Sequence, residues 1–263
     1  MMPSLANLFS NKKIVFLDMD GTIYLGDELI HGAQEFLRTL NENGLIHYYL
    51  SNNSSRSKKD YVEKLTRLGI PAREEEIILS TDGVIDFLHQ KDIRDAYVVG
   101  TESMKEMFVR AGIDIDSPRP HIVILGFDTE LDYEKIRRAS LLLHQGVELI
   151  ATHCDIVCPT PEGPIPDVGA MLAMFEKATQ KKAARVFGKP NAEMLEHIIR
   201  QHGAAPHDLV IIGDRIYTDM EMARRIGCDF ILVLSGETRR EDIQNLENQP
   251  ALVVDDIGYL LQS

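Results

Sequence analysis

The feature that most narrows the fold of this chain is a regular alternation of short apolar runs with amphipathic stretches. The amphipathic stretches carry apolar residues at helical spacing, as Tyr61, Leu65 and Leu68 do. The runs are apolar at nearly consecutive positions, which is typical of strands buried on both faces. They are residues 14–17, 46–50, 96–99, 122–125, 148–151, 209–212, 230–233 and 252–254. The pattern predicts an α/β fold whose doubly wound, mostly parallel sheet is covered by helices on both faces.

Composition is that of an ordinary globular protein. The chain has 263 residues, of which 44% are hydrophobic and 26% charged, so one large domain or two modest ones can bury a core. The formal net charge of −13 disfavours nucleic acid and anionic membranes as partners. A small anionic substrate stays compatible with it, because a bound metal and a few local cations can reverse the sign of the charge inside a cleft.

Cysteine usage and hydropathy predict a cytoplasmic location. The 3 cysteines are an odd number in a chain too large to need disulfides, which favours a reducing compartment. Residues 1–13 lack the apolar core of a signal peptide, and no apolar stretch is long enough to span a membrane.

Two aspartates follow the first apolar run, within the segment DMDGT at residues 18–22. Asp18 and Asp20 are two residues apart, so in extended backbone both side chains point the same way. Carboxylates so close repel each other unless a cation or a shared proton relieves them. Gly21 allows the sharp backbone turn that brings amides near a ligand. The alternative interpretation is a strand-end turn with solvated acids.

Two other segments carry groups that suit a phosphate. Ser51 and Asn52 follow the second apolar run and offer hydroxyl, amide and backbone donors, although capping of the next helix is an alternative role. Lys189 lies between Gly188 and Pro190. We expect Pro190 to begin a helix, which would hold Lys189 extended and aim its ammonium at a phosphate. Taken alone, Lys189 is more typical of a surface lysine.

Two further aspartates, Asp214 and Asp219, follow the most apolar run of the chain. Mg²⁺ prefers oxygen ligands, usually one or two carboxylates with waters and a substrate phosphate. We expect Asp18 and Asp214 to supply those carboxylates, and a backbone carbonyl near Asp20 to supply a third protein oxygen. Asp219 is expected to orient the other groups from outside the metal's ligand set, with helix N-capping as its alternative role.

Together and in this order, the four segments resemble the four motifs of haloacid dehalogenase superfamily phosphatases: DxDGT, a strand-end Ser or Thr, an isolated Lys and GDxxxxD. The resemblance spans nearly the whole chain and implies a Rossmann-like core. It also implies Mg²⁺-dependent hydrolysis of small phosphomonoesters, such as sugar phosphates, through a phospho-aspartyl intermediate on Asp18. It implies that Asp20 is the general acid/base. An acid at this position points to phosphate-ester hydrolysis, because the dehalogenases of the superfamily lack one there.

The remaining roles carry over from the family in the same way. The resemblance implies that the transferring phosphoryl group is bound by Ser51, Asn52 and Lys189. It implies a metal site formed by Asp18, Asp20 and Asp214.

The long gap between Ser51 and Lys189 resembles the subfamily IIA proteins, in which a large α/β cap is inserted at this point. That group includes the 4-nitrophenylphosphatase-like and sugar-phosphate phosphatases. The predicted division is a catalytic core at residues 1–82 and 185–263, with a specificity-determining cap at residues 83–184. Capped relatives are often dimers, so the resemblance leaves a homo-oligomer open.

A proline-rich segment at residues 151–169 interrupts the rhythm of strands and helices. Its prolines exclude a helix or a central strand, so we expect a long irregular loop, and such loops in compact domains are often functional. Asp155, Thr160 and Glu162 would offer polar contacts to substrate hydroxyl groups. A proline-stiffened connector is the alternative.

The same segment departs from the family. Capped relatives often have an Asn-Pro-Asp-like triplet where this chain has His153, Cys154 and Asp155, which leaves open the substrate group contacted there. His153, Cys154 and Cys158 also suggest zinc, but a zinc site normally needs a fourth ligand or a water, and no fourth partner lies nearby in sequence.

Two other functions share the same residues. A receiver-like signalling module would hold a phosphate on Asp18 without turning over, but it needs neither Asp20 as acid/base nor an inserted cap. A phosphotransferase would use a sugar hydroxyl in place of water as the acceptor.

Overall fold

The computed structural model describes residues 9–160, 162–244 and 246–261. The chain forms two compact units. The first comprises Met1–Ser51, Val62–Ile78 and Leu195–Ser263, and the second comprises Asn52–Tyr61 and Leu79–Met194. The cap boundaries at residues 83 and 184 stay a prediction.

The strands in chain order are β1 (Ile14–Asp18), β2 (Tyr24–Leu25), β3 (Glu28–Leu29), β4 (Ile46–Ser51), β5 (Ile77–Leu79), β6 (Tyr97–Val99), β7 (Ile122–Leu125), β8 (Glu148–Ala151), β9 (Val157–Cys158), β10 (Ile165–Pro166), β11 (Arg185–Val186), β12 (Leu209–Gly213), β13 (Asp229–Val233) and β14 (Leu252–Val254). The α-helices are Ala33–Glu42, Lys58–Arg67, Ser80–Gln90, Glu102–Arg110, Tyr133–His144, Val168–Thr179, Glu193–Gln201, Glu221–Ile226 and Arg240–Ile243. Short 3-10 helices at Glu74–Glu76, Pro206–Asp208 and Ile257–Leu261 and a π-helix at Ile216–Met220 complete the elements.

The larger sheet has the strand order β14-β13-β12-β1-β4-β5. Strand β1 lies in its middle, parallel to both β12 and β4. The register pairs Leu17 with Ile212 and Asp18 with Leu50, so the carboxyl ends of the three strands lie at the same edge. All five residues of β1 are buried, as expected for a strand covered on both faces. That edge is where open parallel sheets bind ligands.

The second unit has a parallel sheet of its own, with the order β11-β8-β7-β6. Alternate residues of its strands enter two different hydrophobic clusters. Leu125 and Ala151 belong to the cluster that contains Phe175, whereas Ile124 and Ile150 belong to the cluster that contains Phe108. Because successive strand residues point to opposite faces, this sheet is also buried on both sides. The predicted α/β fold with mostly parallel sheets is confirmed.

The proline-rich segment is more regular than expected. It contains a short antiparallel hairpin in which Cys158 pairs with Ile165 and Val157 with Pro166. Proline is tolerated there because the two-stranded ribbon leaves edge positions that need no donated hydrogen bond. Strand β5 was also missed, as was β11, which is only two residues long.

No helix among the described residues combines the length and the apolarity that crossing a membrane requires.

Two leucines of the first unit test how strongly the sheet depends on β1. Leu17 is fully buried, whereas Leu25 is 58% exposed. We expect Leu17→Ala to lower the free energy of unfolding by about 2–5 kcal/mol, because it removes buried methyl groups and leaves a cavity. Leu25→Ala is the matched control and should change it by less than about 0.5 kcal/mol. Urea unfolding measures both, and equal losses would contradict the assignment of β1 to the core.

Candidate active site

Three carboxylates meet at the carboxyl edge of the larger sheet. Asp18 is the last residue of β1, Asp214 follows β12 directly, and Asp219 lies in the π-helix beyond it. All three are buried, and each offers an oxygen within 4.8 Å of the other two. At an effective dielectric constant of about 20, two full charges at such a separation repel by on the order of 3 kcal/mol. A cluster of this kind requires nearby positive charge.

The donor set fits a hard divalent cation. All three side chains offer carboxylate oxygens, which are the ligands that Mg²⁺ prefers. Asp219 extends the set of acids predicted from sequence, whereas the carboxylate of Asp20 is not part of this cluster among the described residues. The expected contribution of Asp20 through its backbone carbonyl stays a prediction.

The π-helix sets the position of Asp219. The backbone N–H groups of Asp219 and Met220 both donate to the carbonyl of Arg215, at 3.1 and 3.2 Å. The Asp219 carboxylate turns back and accepts the backbone N–H of Arg215 at 3.3 Å. Asp219 therefore lies inside the π-helix, and the alternative role of helix N-cap is wrong.

Gly21 is required by the close approach of the DMDGT turn to Asp214. Its φ of 89° lies in the left-handed region, and an added Cβ would lie 2.6 Å from Asp214 Oδ2. Any side chain here would push against the carboxylate as well as strain the backbone. The expectation that Gly21 allows a sharp turn at this point is confirmed.

Arg215 places a cation beside the carboxylates. Its side chain is largely buried, and its Nε lies 3.0 Å from Oε2 of Glu237. Burial alone would lower the pKa of Arg215, but the negative charges of Asp18 and Asp214 outweigh it and raise the pKa. The guanidinium is therefore a permanent positive charge that offsets part of the repulsion.

Asp20 has a different environment from its neighbour two residues away. It is exposed at the surface, yet the surrounding protein desolvates its carboxylate. This desolvation raises the pKa of Asp20 above the usual range, against the opposing charges of Lys64 and Arg215. A raised pKa favours the protonated form, as a general acid needs, although solvent exposure limits the rise.

The second unit holds Lys189 through the side chain of Asn52. Asn52 Oδ1 accepts the backbone N–H of Lys189 at 2.7 Å, and Asn52 Nδ2 donates to the Lys189 carbonyl at 3.0 Å. Nδ2 also donates to Asp155 Oδ2 at 3.1 Å. Asn52 thus links the predicted phosphate-binding lysine to the proline-rich segment at residues 151–169, which we call the predicted recognition loop.

Lys189 itself is 3% exposed, so the interpretation as a surface lysine is wrong. The prediction that Pro190 begins a helix is also wrong, because the next helix starts at Glu193 and the Lys189–Pro190 peptide is cis. Asn191 closes a turn instead, with its N–H donating to the Gly188 carbonyl at 2.9 Å. The phosphate contacts of Ser51, Asn52 and Lys189 stay predictions.

His153 is fully buried within the predicted recognition loop. Its Nδ1 lies 3.2 Å from Thr152 Oγ1, and its Nε2 lies 3.2 Å from Asp167 Oδ1. His153, Asp155 and Asp167 offer ligand atoms within 4.8 Å of one another, but Cys154 is exposed and not part of this group. The structure therefore gives no support to a zinc site built on His153 and the two cysteines.

Of the other residues predicted to contact substrate, Thr160 and Glu162 lie between the two strands of the hairpin, and Asp155 precedes it. Thr160 Oγ1 donates to the Gly163 carbonyl at 2.7 Å and so closes the turn at its tip. Glu162 is exposed. Asp155 is half-buried and accepts from Asn52.

Sequence reasoning missed the polar segment that follows β13. The Glu237 backbone N–H donates to Asp214 Oδ2 at 2.6 Å, and Ser235 Oγ donates to the Gly21 carbonyl at 2.6 Å. The available signal was its position, because it is another polar segment that directly follows an apolar run at the same edge of the sheet.

Family models match two parts of the chain. Residues 15–114 match the haloacid dehalogenase-like hydrolase model, and residues 186–260 match the HAD-hydrolase-like model. The 5'-nucleotidase YutF of Bacillus subtilis is 30% identical over 242 residues, which cover 92% of this chain and 94% of that protein. The acid sugar phosphatase of Staphylococcus haemolyticus is 28% identical over 95% of this chain and 96% of its own length.

Solved structures of phosphatases and of NagD also match this chain over nearly its full length. The 4-nitrophenylphosphatase of Thermotoga maritima has a TM-score of 0.93 and 36% identity, and the match covers 97% of this chain and 98% of that one. NagD of E. coli K-12 has a TM-score of 0.85 and 27% identity over 94% of this chain and 97% of that one. The similarity extends through both units.

Removal of one charge from the carboxylate cluster tests its repulsion. We expect Asp18→Asn to raise the free energy of unfolding of the metal-free protein by roughly 1–2 kcal/mol, because one of three buried like charges disappears. Asp116→Asn is the control, since Asp116 is exposed and far along the chain from the cluster. Urea unfolding in excess chelator measures both. A clear loss of stability in Asp18→Asn would show that the cluster is not under electrostatic strain.

Proposed function

This chain belongs to the haloacid dehalogenase-like hydrolases and is a phosphatase, and from that premise we propose that it hydrolyses small phosphomonoesters through a phospho-aspartyl intermediate on Asp18. Sugar phosphates and similar metabolites are the proposed substrates. The observation that carries the proposal is the buried cluster of Asp18, Asp214 and Asp219 at the carboxyl edge of β1. The relatives named as acid sugar phosphatase and 5'-nucleotidase support the substrate class.

In the first half-reaction an oxygen of Asp18 attacks phosphorus and the bond to the ester oxygen breaks. The leaving alkoxide takes a proton from Asp20, whose raised pKa suits it to donate. In the second half-reaction Asp20 removes a proton from water, the water oxygen attacks phosphorus, and the bond to Asp18 breaks. Inorganic phosphate leaves and the carboxylate is restored, so hydrolysis proceeds through two easier steps.

Positive charge is the main requirement of this chemistry, because a carboxylate attacks an anionic phosphoryl group. Bound Mg²⁺ would supply charge stabilisation of the transition state. Asp18 and Asp214 would hold it, with the backbone carbonyl of Asp20, and Asp219 lies close enough to take part. In the proposal Ser51 and Lys189 bind the phosphoryl oxygens.

The receiver-like alternative is set aside, because the relatives that match this chain along its length are enzymes by name. Transfer to a sugar hydroxyl differs from hydrolysis only in the acceptor. Release of inorganic phosphate in equal amount to the alcohol product, measured with acceptor sugars present, separates the two and supports hydrolysis.

Substitution of the two aspartates of the DMDGT segment tests their separate roles. Asp18→Asn keeps the shape of the side chain but lacks the nucleophile, so we expect loss of turnover with the fold intact. Asp20→Asn should slow both half-reactions, with the larger loss on substrates that have poor leaving groups. Steady-state hydrolysis of 4-nitrophenyl and alkyl phosphates measures this. Retention of more than a few per cent of activity in Asp18→Asn would refute the covalent mechanism.

Metal exchange tests the carboxylate cluster. We expect activity to require Mg²⁺, to disappear in excess chelator and to be inhibited by Ca²⁺. Ca²⁺ accepts more ligands at longer distances and can take both oxygens of a carboxylate, which would leave Asp18 no oxygen for attack. Equal rates with the two metals, in an assay with either ion alone, would count against this site.

The recognition loop is tested by comparison of substrates. Asp155→Ala and Glu162→Ala together should change relative kcat/KM among hydroxylated natural phosphates by roughly tenfold or more, as expected for one or two lost hydrogen bonds. Activity toward 4-nitrophenyl phosphate, which has no hydroxyl groups, should change much less. Asp155→Asn is the matched control for packing, because it keeps an oxygen that can accept from Asn52. A parallel loss on both kinds of substrate would mean that these residues only pack the loop.

A further inference from the structure

The segment after β13, which we call the Ser235–Thr238 loop, contacts two of the sequence motifs within the first unit. The Glu237 N–H donates to Asp214 Oδ2 at 2.6 Å, and the Thr238 N–H donates to the Asp214 carbonyl at 3.2 Å. Ser235 Oγ donates to the Gly21 carbonyl at 2.6 Å. One loop therefore holds both the backbone and the side chain of Asp214 and also the turn that follows Asp20.

Gly236 packs directly against the Asp214 carboxylate. A Cβ at this position would lie 2.0 Å from Asp214 Oδ2 and 2.5 Å from its Cγ, which is far inside van der Waals contact. The φ of Gly236 lies outside the left-handed region, so alanine would meet this contact and no backbone strain. The carboxylate is not free to move aside, because Oδ2 accepts the Glu237 N–H. A larger residue must displace it.

The side chain of Glu237 adds a second connection. Its Oε2 lies 3.0 Å from Arg215 Nε, and its Oε1 accepts the hydroxyl of Tyr217 at 2.6 Å. Glu237 thus contacts Asp214 through its backbone and the cation beside it through its carboxylate. The loop controls the position of one charge of each sign.

We propose that the Ser235–Thr238 loop is a positioning element for the metal site: it fixes Asp214 against Gly21, and the affinity of the protein for Mg²⁺ depends on it. The inference rests on the proposed function, since it takes Asp214 to be a metal ligand. Groups that orient metal ligands from outside the ligand set typically change metal affinity by 10–100-fold when they are altered.

The test is Mg²⁺ binding to the full chain without substrate, measured by isothermal titration calorimetry. We expect Gly236→Ala to raise the dissociation constant for Mg²⁺ by at least about tenfold, because the carboxylate is displaced. Ser235→Ala should raise the same dissociation constant by roughly threefold or more, because the variant loses one hydrogen bond to the Gly21 turn. The matched control is Gly83→Ala, since an added Cβ there meets its neighbours at 3.5 Å, an ordinary contact. That variant should bind Mg²⁺ as the unaltered protein does.

If Gly236→Ala and Ser235→Ala are folded by circular dichroism and bind Mg²⁺ within twofold of the unaltered protein, the inference is overturned. If Gly236→Ala does not fold, Ser235→Ala decides by the same twofold limit. If the unaltered protein hydrolyses 4-nitrophenyl phosphate but binds no Mg²⁺, the metal requirement in the proposed function is wrong and the inference is overturned with it.

Discussion

Mutual repulsion among Asp18, Asp214 and Asp219 is the constraint on which the rest of the site depends. The three carboxylates are buried within 4.8 Å of one another, at the point where β1 and β12 end. Such an arrangement is costly for the folded protein, and the packing of the parallel sheet keeps it in place. The same charge density would favour the binding of a small, hard cation.

The elements around the cluster each limit one way in which the carboxylates could move apart. The π-helix directs Asp219 back toward Arg215, and Arg215 contributes permanent positive charge next to Asp18 and Asp214. The close approach of Gly21 leaves no room for the Asp214 carboxylate to swing toward the DMDGT turn. The positions of Asp214 and Asp219 are therefore set by backbone contacts as well as by the acids themselves.

In the second unit, hydrogen bonds to its backbone hold Lys189 in place. Asn52 satisfies both backbone groups of that lysine and reaches Asp155 with the same amide. A buried amide with all these bonds made is rigid, because each lost bond would leave a buried polar group unpaired. Asn52 thus connects the residue proposed to bind phosphate with a residue proposed to contact the substrate.

Apolar runs predicted the central strands well, because strands buried on both faces leave a continuous signal in sequence. The motif aspartates were found for the same reason, since they follow those runs directly. A two-residue strand such as β11 has too few residues for a pattern. The place of Asp219 depends on a π-helix, and the contact of Gly236 with Asp214 depends on a loop distant in sequence. Neither feature has a periodicity from which it can be inferred. The turn at Pro190 was mistaken for the start of a helix, because proline is common both in turns and in the first turn of a helix.

In the proposed mechanism Asp18 carries the phosphoryl group during turnover. Rapid acid quenching during hydrolysis of 4-nitrophenyl phosphate, followed by mass spectrometry of peptides, tests it most directly. We expect the added mass of one phosphoryl group on the peptide that contains Asp18. We also expect this species to accumulate in Asp20→Asn, in which the second half-reaction is slowed. A phosphoryl group on another residue, or none in Asp20→Asn while phosphate is still released, would contradict it.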